Sequence, residues 1–456
     1  MKVAEFIPII GLEVHVELKT KSKMFCGCSA DYFGHEPNTH CCPVCLGLPG
    51  ALPVPNKKAI EWCIMLGLAL NCQIPEVSKF DRKNYFYPDL PKGYQISQYD
   101  MPLCVNGELR IKNSGKEKKI RIRRVHMEED TGKLIHTPDA TLIDFNRSGV
   151  PLVEVVTEPD IHSGEEAKMY LQKLQQIIRY LGISDADMEK GSMRCEPNIS
   201  ILPVSNTTNN TNDQLPDYKV EVKNINSFKF VGKAIDYEID RQIKILEHGE
   251  KVVQETRGWS EIKGVTLPQR SKEEAQDYRY FPEPDIPPMR WSQNQISKIK
   301  NQIPEMPDTK LTRFMKDYEL GEYDALQLTT SLPTANYYEE SIKCSKSITS
   351  TTGIIINPKT IANWIINKKV DINKVSPKEL LQTISQMGQT SQISDKELEK
   401  IVVGVLKDNQ KAVDDYKKGK EQALMFLVGQ IMRKTKRQAN GDVIKKLIIK
   451  KLKKIK

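Results

Sequence analysis

Between Phe281 and Pro288 the chain carries four prolines in eight residues, and this segment separates two kinds of sequence. Proline fixes φ and has no N–H to donate, so neither a helix nor a central strand continues through such a run, and the segment is predicted to be an extended connector. Before it, strand and helix signals alternate. Ile10–Leu18 places apolar and polar residues in turn, the period of a half-buried strand, whose polar face would carry Glu13, His15 and Glu17 together. Ile120–Val125 and Lys219–Lys223 read the same way. Helical spacing runs over Lys57–Leu70, Glu165–Leu181 and Val231–Glu247, the second opened by a Ser163 cap with Glu165 and Glu166 in its first turn. The Asn/Thr-rich stretch Ser205–Asp213 reads as a surface loop. After the connector nearly every segment has helical periodicity, with starts at Pro307-Asp308, Asn357-Pro358, Ser376-Pro377 and Ser394-Asp395. The expected class is α+β: a mixed, mainly antiparallel-sheet domain over residues 1–290, an all-α helical domain over 295–393, and a small helical tail domain over 394–456.

Charge and cysteine usage narrow the setting. The 68 basic and 59 acidic side chains leave a formal charge of +9, which permits a polyanionic partner without requiring one. No stretch of about 18 apolar residues occurs, so no membrane span is expected. The N-terminal segment is too short and too charged for a secretory signal. A cytoplasmic chain is therefore expected, in which the ten cysteines serve as thiols or metal ligands rather than disulfides.

Two thiol pairs, Cys26-Gly27-Cys28 and Cys42-Pro43-Val44-Cys45, carry the strongest local signal. Four thiolates so spaced can wrap a tetrahedral zinc and leave no open position, which makes the site structural. His40 and Cys41 stand beside the second pair as competing ligands, and a cluster of reduced cysteines is the bland alternative. A second constellation is acidic and dispersed: Glu13 and His15 on one strand face, Glu128, Glu129 and Asp130 after a basic strand, Glu154 inside the apolar run Val153–Val156, and Glu196. A lone glutamate in an apolar strand is costly to bury unless it is paired or metal-bound. Convergence on magnesium and a set of solvated, salt-bridged faces both remain open at this level. Ser78–Asp89 and Gln276–Pro282 interleave cations with aromatics, as nucleotide contacts or ordered loops do. Neither a phosphate loop of the Gly-x-x-x-x-Gly-Lys-Ser/Thr kind nor a Gly-x-Gly-x-x-Gly turn is present, nor a serine or cysteine nucleophile in a recognisable setting.

Taken in order, Gly11–His15, Lys79–Pro88, Tyr94–Gln98, His126–Asp130, Asp144–Gly149, Glu154, Thr157–Asp160, Gly191–Cys195, Glu221–Ser227, Asp277–Asp285, Ala325–Thr329 and Phe426–Met432 resemble the GatB family of the aspartyl/glutamyl-tRNA amidotransferases along essentially the whole chain. The resemblance implies an ATP-dependent carbon–nitrogen ligase with glutamine as amido donor. It would convert Glu-tRNA(Gln), Asp-tRNA(Asn) or both through an acyl phosphate that ammonia displaces. It also implies a heterotrimer, in which an amidase-type A subunit releases the ammonia and a small C subunit joins the two. The residues it marks for magnesium are Glu13, His15, Glu129, Glu154 and Glu196, the last a glutamate where some members have aspartate. Lys83 is implied as a phosphate or channel contact, Cys26, Cys28, Cys42 and Cys45 as a zinc knuckle, and the tail as a holder of mischarged tRNA, through Arg433, Lys434, Lys436, Arg437 and the lysines of Lys445–Lys456. The competing reading is a non-catalytic, zinc-stapled tRNA-binding scaffold. The acidic set, complete in this sequence, favours the enzyme.

Overall fold

The computed structural model describes residues 5–113, 115–204, 215–271, 279–352, 356–390, 395–417, 419–435 and 441–454. The loop expected at 205–213, residues 276–278 of the second aromatic-basic segment, Ser394, Lys436, Arg437 and Lys456 lie outside these. In chain order the strands are β1 (Glu5–Glu17), β2 (Val77–Ser78), β3 (Asp81–Asn84), β4 (Tyr94–Ser97), β5 (Cys104–Asn113), β6 (Lys116–Glu129), β7 (Lys133–His136), β8 (Thr141–Asp144), β9 (Pro151–Thr157), β10 (Met193–Val204), β11 (Val220–Lys223), β12 (Glu255–Ser260), β13 (Val265–Ser271), β14 (Arg279–Pro282) and β15 (Met289–Arg290). The first four helices are α1 (Lys57–Ala69), α2 (Gly164–Leu181), α3 (Phe228–Glu247) and α4 (Gln293–Lys300). The α+β class holds, with the sheet in the N-terminal part and helices after it.

An eight-stranded sheet in the order β13-β12-β11-β10-β1-β9-β6-β5 organises the first compact unit, Met1–Lys310. Its pairs are antiparallel except β11 with β12. β1 is central because it is apolar on one face along its whole length. Ile10, Leu12, Val14 and Val16 are all buried there and join Leu171, Leu174 and Ile178 of α2 and Val231 and Ile235 of α3 in one core. Each such side chain contributes about 1.5–3 kcal/mol by leaving water. α2 begins where Ser163 accepts the Glu166 N–H and ends at Gly182, whose φ of 68° is the left-handed turn that glycine tolerates. The other face of β1 carries Glu13, His15 and Glu17, since strand side chains alternate.

Two further features position the site. β5 pairs with β6 only as far as Val125, so the end of β6 has an open edge, and β4 lies alongside it. There Gln98 Oε1 accepts the Met127 N–H at 3.1 Å and Gln95 Nε2 donates to the Glu129 carbonyl at 2.7 Å, side chains doing what a strand ladder would do. β3 and β14 complete a small sheet with β4. Beyond the proline-rich connector, α4 packs on α1 within this unit, and Ile299 enters its core.

The second unit, Leu311–Lys456, is helical. From α5 (Pro307–Asp317) the chain continues through α6 (Glu322–Leu328), α7 (Leu332–Thr352), α8 (Pro358–Asn367), α9 (Pro377–Thr390), α10 (Asp395–Asp408), α11 (Gln410–Lys417), α12 (Glu421–Lys434) and α13 (Gly441–Lys454). Among the described residues it holds two apolar cores. One gathers Phe314, Tyr338, Ile361 and Leu381, and the other Val402, Leu427, Ile431, Ile444 and Ile448. α13 buries that last pair and leaves Lys445, Lys446 and Lys450 exposed. Lys434 pairs with Asp408 at 2.8 Å and Lys451 with Glu399 at 3.3 Å.

Candidate functional site

The polar face of the sheet is built by register. β1 lies between β9 and β10 with His15 opposite Glu154 on one side and Arg194 on the other. β6 follows β9 with His126 opposite Glu154. His15 Nε2 is thereby 3.5 Å from Glu154 and 3.8 Å from Glu128, while His126 Nε2 is 3.1 Å from Glu154 and 3.4 Å from Glu128. Ser97 Oγ donates to Glu128 at 2.7 Å from β4. Burial opposes the charge on Glu154, yet the two imidazoles hold it well below the usual carboxylate range. Burial likewise opposes the charge on Glu128, but Lys83 on β3, followed by His126, brings it down to about 2. Burial would lower His15, and the charge of Glu154 instead lifts it to about 9.

One imidazole nitrogen and two carboxylates that converge within 4.8 Å suit a hard divalent cation. Two imidazoles whose protonated forms are favoured by these carboxylates show how strongly the pocket asks for positive charge. Two residues away along β1, Glu13 meets Glu196 of β10 and Glu221 of β11, their oxygens again within 4.8 Å of one another. Lys223 binds Glu196 at 2.7 Å and Glu221 at 3.3 Å. Burial raises Glu13, with Glu154 adding to it. Burial also opposes the charge on Glu196, and Lys223 and His15 overcome it.

Of the residues marked from sequence, Glu13, His15, Glu154 and Glu196 come together on this face, and Lys83 approaches from β3. Glu129 does not. Its carboxylate accepts the Ile96 N–H at 2.9 Å and pairs with Lys92 on the other side of β6, and Glu128 takes the place beside His15 and Glu154. The cause is a register shift in β6 between Ile122 and Arg124. Ile120 and Ile122 face the core, and their parity carried forward puts residue 129 on the polar face. The bulge exchanges the faces, so Val125 and Met127 turn to the apolar core and His126 and Glu128, also buried, turn to the polar face. Glu221 and His126 carry no mark of their role in the sequence. His126 and Glu128 stand in a segment that the sequence singles out, but only the buried Val125 and Met127 reveal their parity.

The four cysteines converge separately. Sγ of Cys45 is 3.9, 3.8 and 3.5 Å from those of Cys26, Cys28 and Cys42, against an edge of about 3.8 Å for a tetrahedron with 2.3 Å metal–sulfur bonds. Cys45 also accepts the Cys42 N–H at 3.0 Å, and the hydrogen bond from Cys26 leads the causes that bring its thiol down to about 4. The chemistry of this donor set fits a closed zinc site. Cys41 instead points to Asn146 Oδ1, 3.9 Å away, and His40 Nδ1 meets Thr39 Oγ1 at 3.1 Å.

A mainly antiparallel sheet carries the two carboxylate clusters on one face and is followed by a helical C-terminal part; the GatB/GatE catalytic domain family matches residues 8–297, and the GatB domain family matches 355–452. The chain belongs to the GatB family of the aspartyl/glutamyl-tRNA(Asn/Gln) amidotransferases. It is 47% identical to the corresponding amidotransferase chain of Caldicellulosiruptor saccharolyticus over 99% of this chain and all of the relative. It is also 47% identical to that of Carboxydothermus hydrogenoformans over the same shares. With the counterpart from Caldanaerobacter subterraneus it shares 48% over 96% of this chain and 98% of the relative. Among the described residues no helix is long and apolar enough to cross a membrane.

Proposed function

We propose that this chain is the carboxylate-activating subunit of a glutamine-dependent amidotransferase acting on Glu-tRNA(Gln), Asp-tRNA(Asn) or both. ATP converts the side-chain carboxylate to an acyl phosphate. Ammonia from an amidase-type A subunit, joined through a small C subunit, displaces the phosphate. The observation that carries this reading is the pair of neighbouring clusters, His15/Glu128/Glu154 and Glu13/Glu196/Glu221, on one sheet face. These residues would hold Mg²⁺, which supplies charge neutralisation to the phosphoryl oxygens where catalysis is mostly positioning and electrostatics. His126 orients Glu154 from behind, and Lys83 sets a fixed cation beside Glu128 at the phosphoryl end. Cys26, Cys28, Cys42 and Cys45 hold structural zinc. Residues 394–456 form a tail domain that meets tRNA through the exposed lysines of α13 and Arg433. Replacing Glu154 with Ala in the complex with the partner subunits should abolish ATP-dependent amide formation and leave tRNA affinity within about twofold. Full turnover in that variant would remove the assignment.

A further inference from the structure

Lys23 is completely buried, at 0% exposure, just ahead of the first thiol pair. Burying an ammonium is costly unless an anion accompanies it. Lys310, buried to 5%, meets that need through Glu305 at 3.3 Å. Lys23 has no such partner. Among the described residues its Nζ donates only to backbone carbonyls, that of His40 at 2.8 Å and that of Phe145 at 3.5 Å. Two acidic groups of the surrounding segments are committed elsewhere. Glu129 pairs with Lys92 and accepts the Ile96 N–H at 2.9 Å. Asp144 accepts the backbone N–H of Asn38 at 3.0 Å and that of Asn146 at 2.9 Å.

What Lys23 does lie against is the cysteine knuckle. Its own N–H donates to the Cys28 carbonyl at 2.9 Å, and its ammonium holds the carbonyl of His40 beside the second thiol pair. Gly149, at a φ of 84°, is bare where the two meet: a Cβ built there would stand 3.5 Å from Lys23 Cδ and 3.8 Å from Cys45 Cβ. The hydrogen bond from Cys26 leads the causes that bring Cys45 down to about 4, the Cys42 N–H adds to it, and the charge of Lys23 comes next. Burial raises the Cys41 thiol, and Lys23 is the first group to oppose it. The Phe145 carbonyl belongs to the loop between β8 and β9, which is tied to the knuckle at further points. Asn146 Oδ1 accepts the His40 N–H, Asn146 Nδ2 donates to the Glu36 carbonyl and Asn38 Oδ1 accepts the Phe145 N–H, each at 2.8 Å.

We infer that Lys23 is the counter-cation of the four-thiolate centre: zinc held by Cys26, Cys28, Cys42 and Cys45 carries two net negative charges, and the buried ammonium neutralises them from the side of the loop that leads into β9. This rests on the structural-zinc reading above and adds to it a residue outside the ligand set. It also makes metal occupancy and the packing of Phe145–Gly149 one equilibrium. Without the metal the knuckle loses its anionic charge, and Lys23 becomes a buried cation with no anion. The coupling is reciprocal, so removing the cation must weaken the metal.

The test compares the full-length protein with Lys23→Met, which keeps most of the side chain and removes its charge. Zinc affinity is read by competition with a chromophoric chelator. Thermal midpoints are taken with zinc bound and after its removal under reducing conditions. Lys23→Met should weaken zinc binding by about 10- to 100-fold, the scale of losing a group that supports metal ligands. Its metal-free form should melt at or above the metal-free parent, because an unaccompanied buried cation is gone. A side chain that only fills space would act oppositely. Unchanged zinc affinity, with a midpoint lowered equally in both forms, overturns the inference. Should Lys23→Met fail to fold, Lys23→Gln, neutral but still a donor to carbonyls, takes its place with the same outcomes. The zinc reading is decided separately. A parent protein that binds no zinc removes that reading, whereas a zinc-loaded parent and an equally tight Lys23→Met variant remove only the role of Lys23.

Discussion

His126 Nε2 stands 3.1 Å from Glu154 Oε2, so the carboxylate lies between two histidines, with His15 3.5 Å away on the adjacent strand. His126 is 1% exposed, and its Nδ1 has no hydrogen-bond partner among the described residues. In the proposed reading, its place behind Glu154 is that of a positioning residue for a metal-binding carboxylate, the outer partner that sets ligand orientation. His126→Gln should raise the Mg²⁺ concentration for half-maximal amidation by roughly 10- to 100-fold, with kcat recovered at saturating Mg²⁺. A lowered kcat with no change in Mg²⁺ requirement would point to a role other than positioning.

Glu128 and Glu129 are adjacent in sequence and on opposite faces of β6. Glu128→Gln should lower ATP-dependent amidation by about 100-fold or more, the scale of removing a group that stabilises developing charge. Glu129→Gln keeps an acceptor for the Ile96 N–H and weakens the ion pair with Lys92, so its first effect should be a lower thermal midpoint. Steady-state kinetics of the two variants side by side decide the matter. The reverse ranking would return Glu129 to the site.

The four-thiolate cluster predicts about one zinc per chain, held by Cys26, Cys28, Cys42 and Cys45. Cys42→Ser should release that metal and lower the thermal midpoint by several degrees, because metal binding is folding free energy. Cys41→Ser should do neither, since Cys41 points to Asn146. Elemental analysis and thermal unfolding of the two purified variants give the answer.

Asp160 accepts the Arg121 backbone N–H at 2.9 Å and the guanidinium at 2.6 Å. Burial works against its charge, but these bonds to Arg121 hold it below its ordinary value. A lowered folded-state pKa contributes stability that is present above the unfolded value, about 3.9, and is lost as pH falls through the folded one. Arg121 is 60% exposed, so solvent screening limits the contribution to about 1 kcal/mol or less. Asp160→Asn should therefore cost that much at pH 7 and progressively less below about pH 4. Urea unfolding at pH 7 and pH 3 measures it, and an equal cost at both pH values would contradict the pairing.

Local rules made much of this chain legible. The alternation of Ile10–Leu18 sets Glu13, His15 and Glu17 on one face of a strand wherever that strand lies, because side-chain period is a property of the extended backbone itself. The spacing around Ser163 and Glu166 starts α2 for the same kind of reason, since the cap and first turn are within four residues of one another. The two cysteine pairs announce a tetrahedral donor set because each pair spans one tight turn.

Tertiary structure alone decided which strands stand side by side. β1 could present its carboxylates to any neighbours. It lies between β9 and β10 because burying Ile10, Leu12, Val14 and Val16 under α2 and α3 draws the most apolar strands to the centre, a choice made by surface removed from water across the whole domain. That choice brings Glu154 to His15 and Glu221 to Glu13 and Glu196 from far along the chain. The bulge after Ile122 then determines that Glu128, and not Glu129, faces them. Parity along a strand can be counted in sequence only until a residue is added to one side of a ladder, and the added residue is visible only when its partner strand is known.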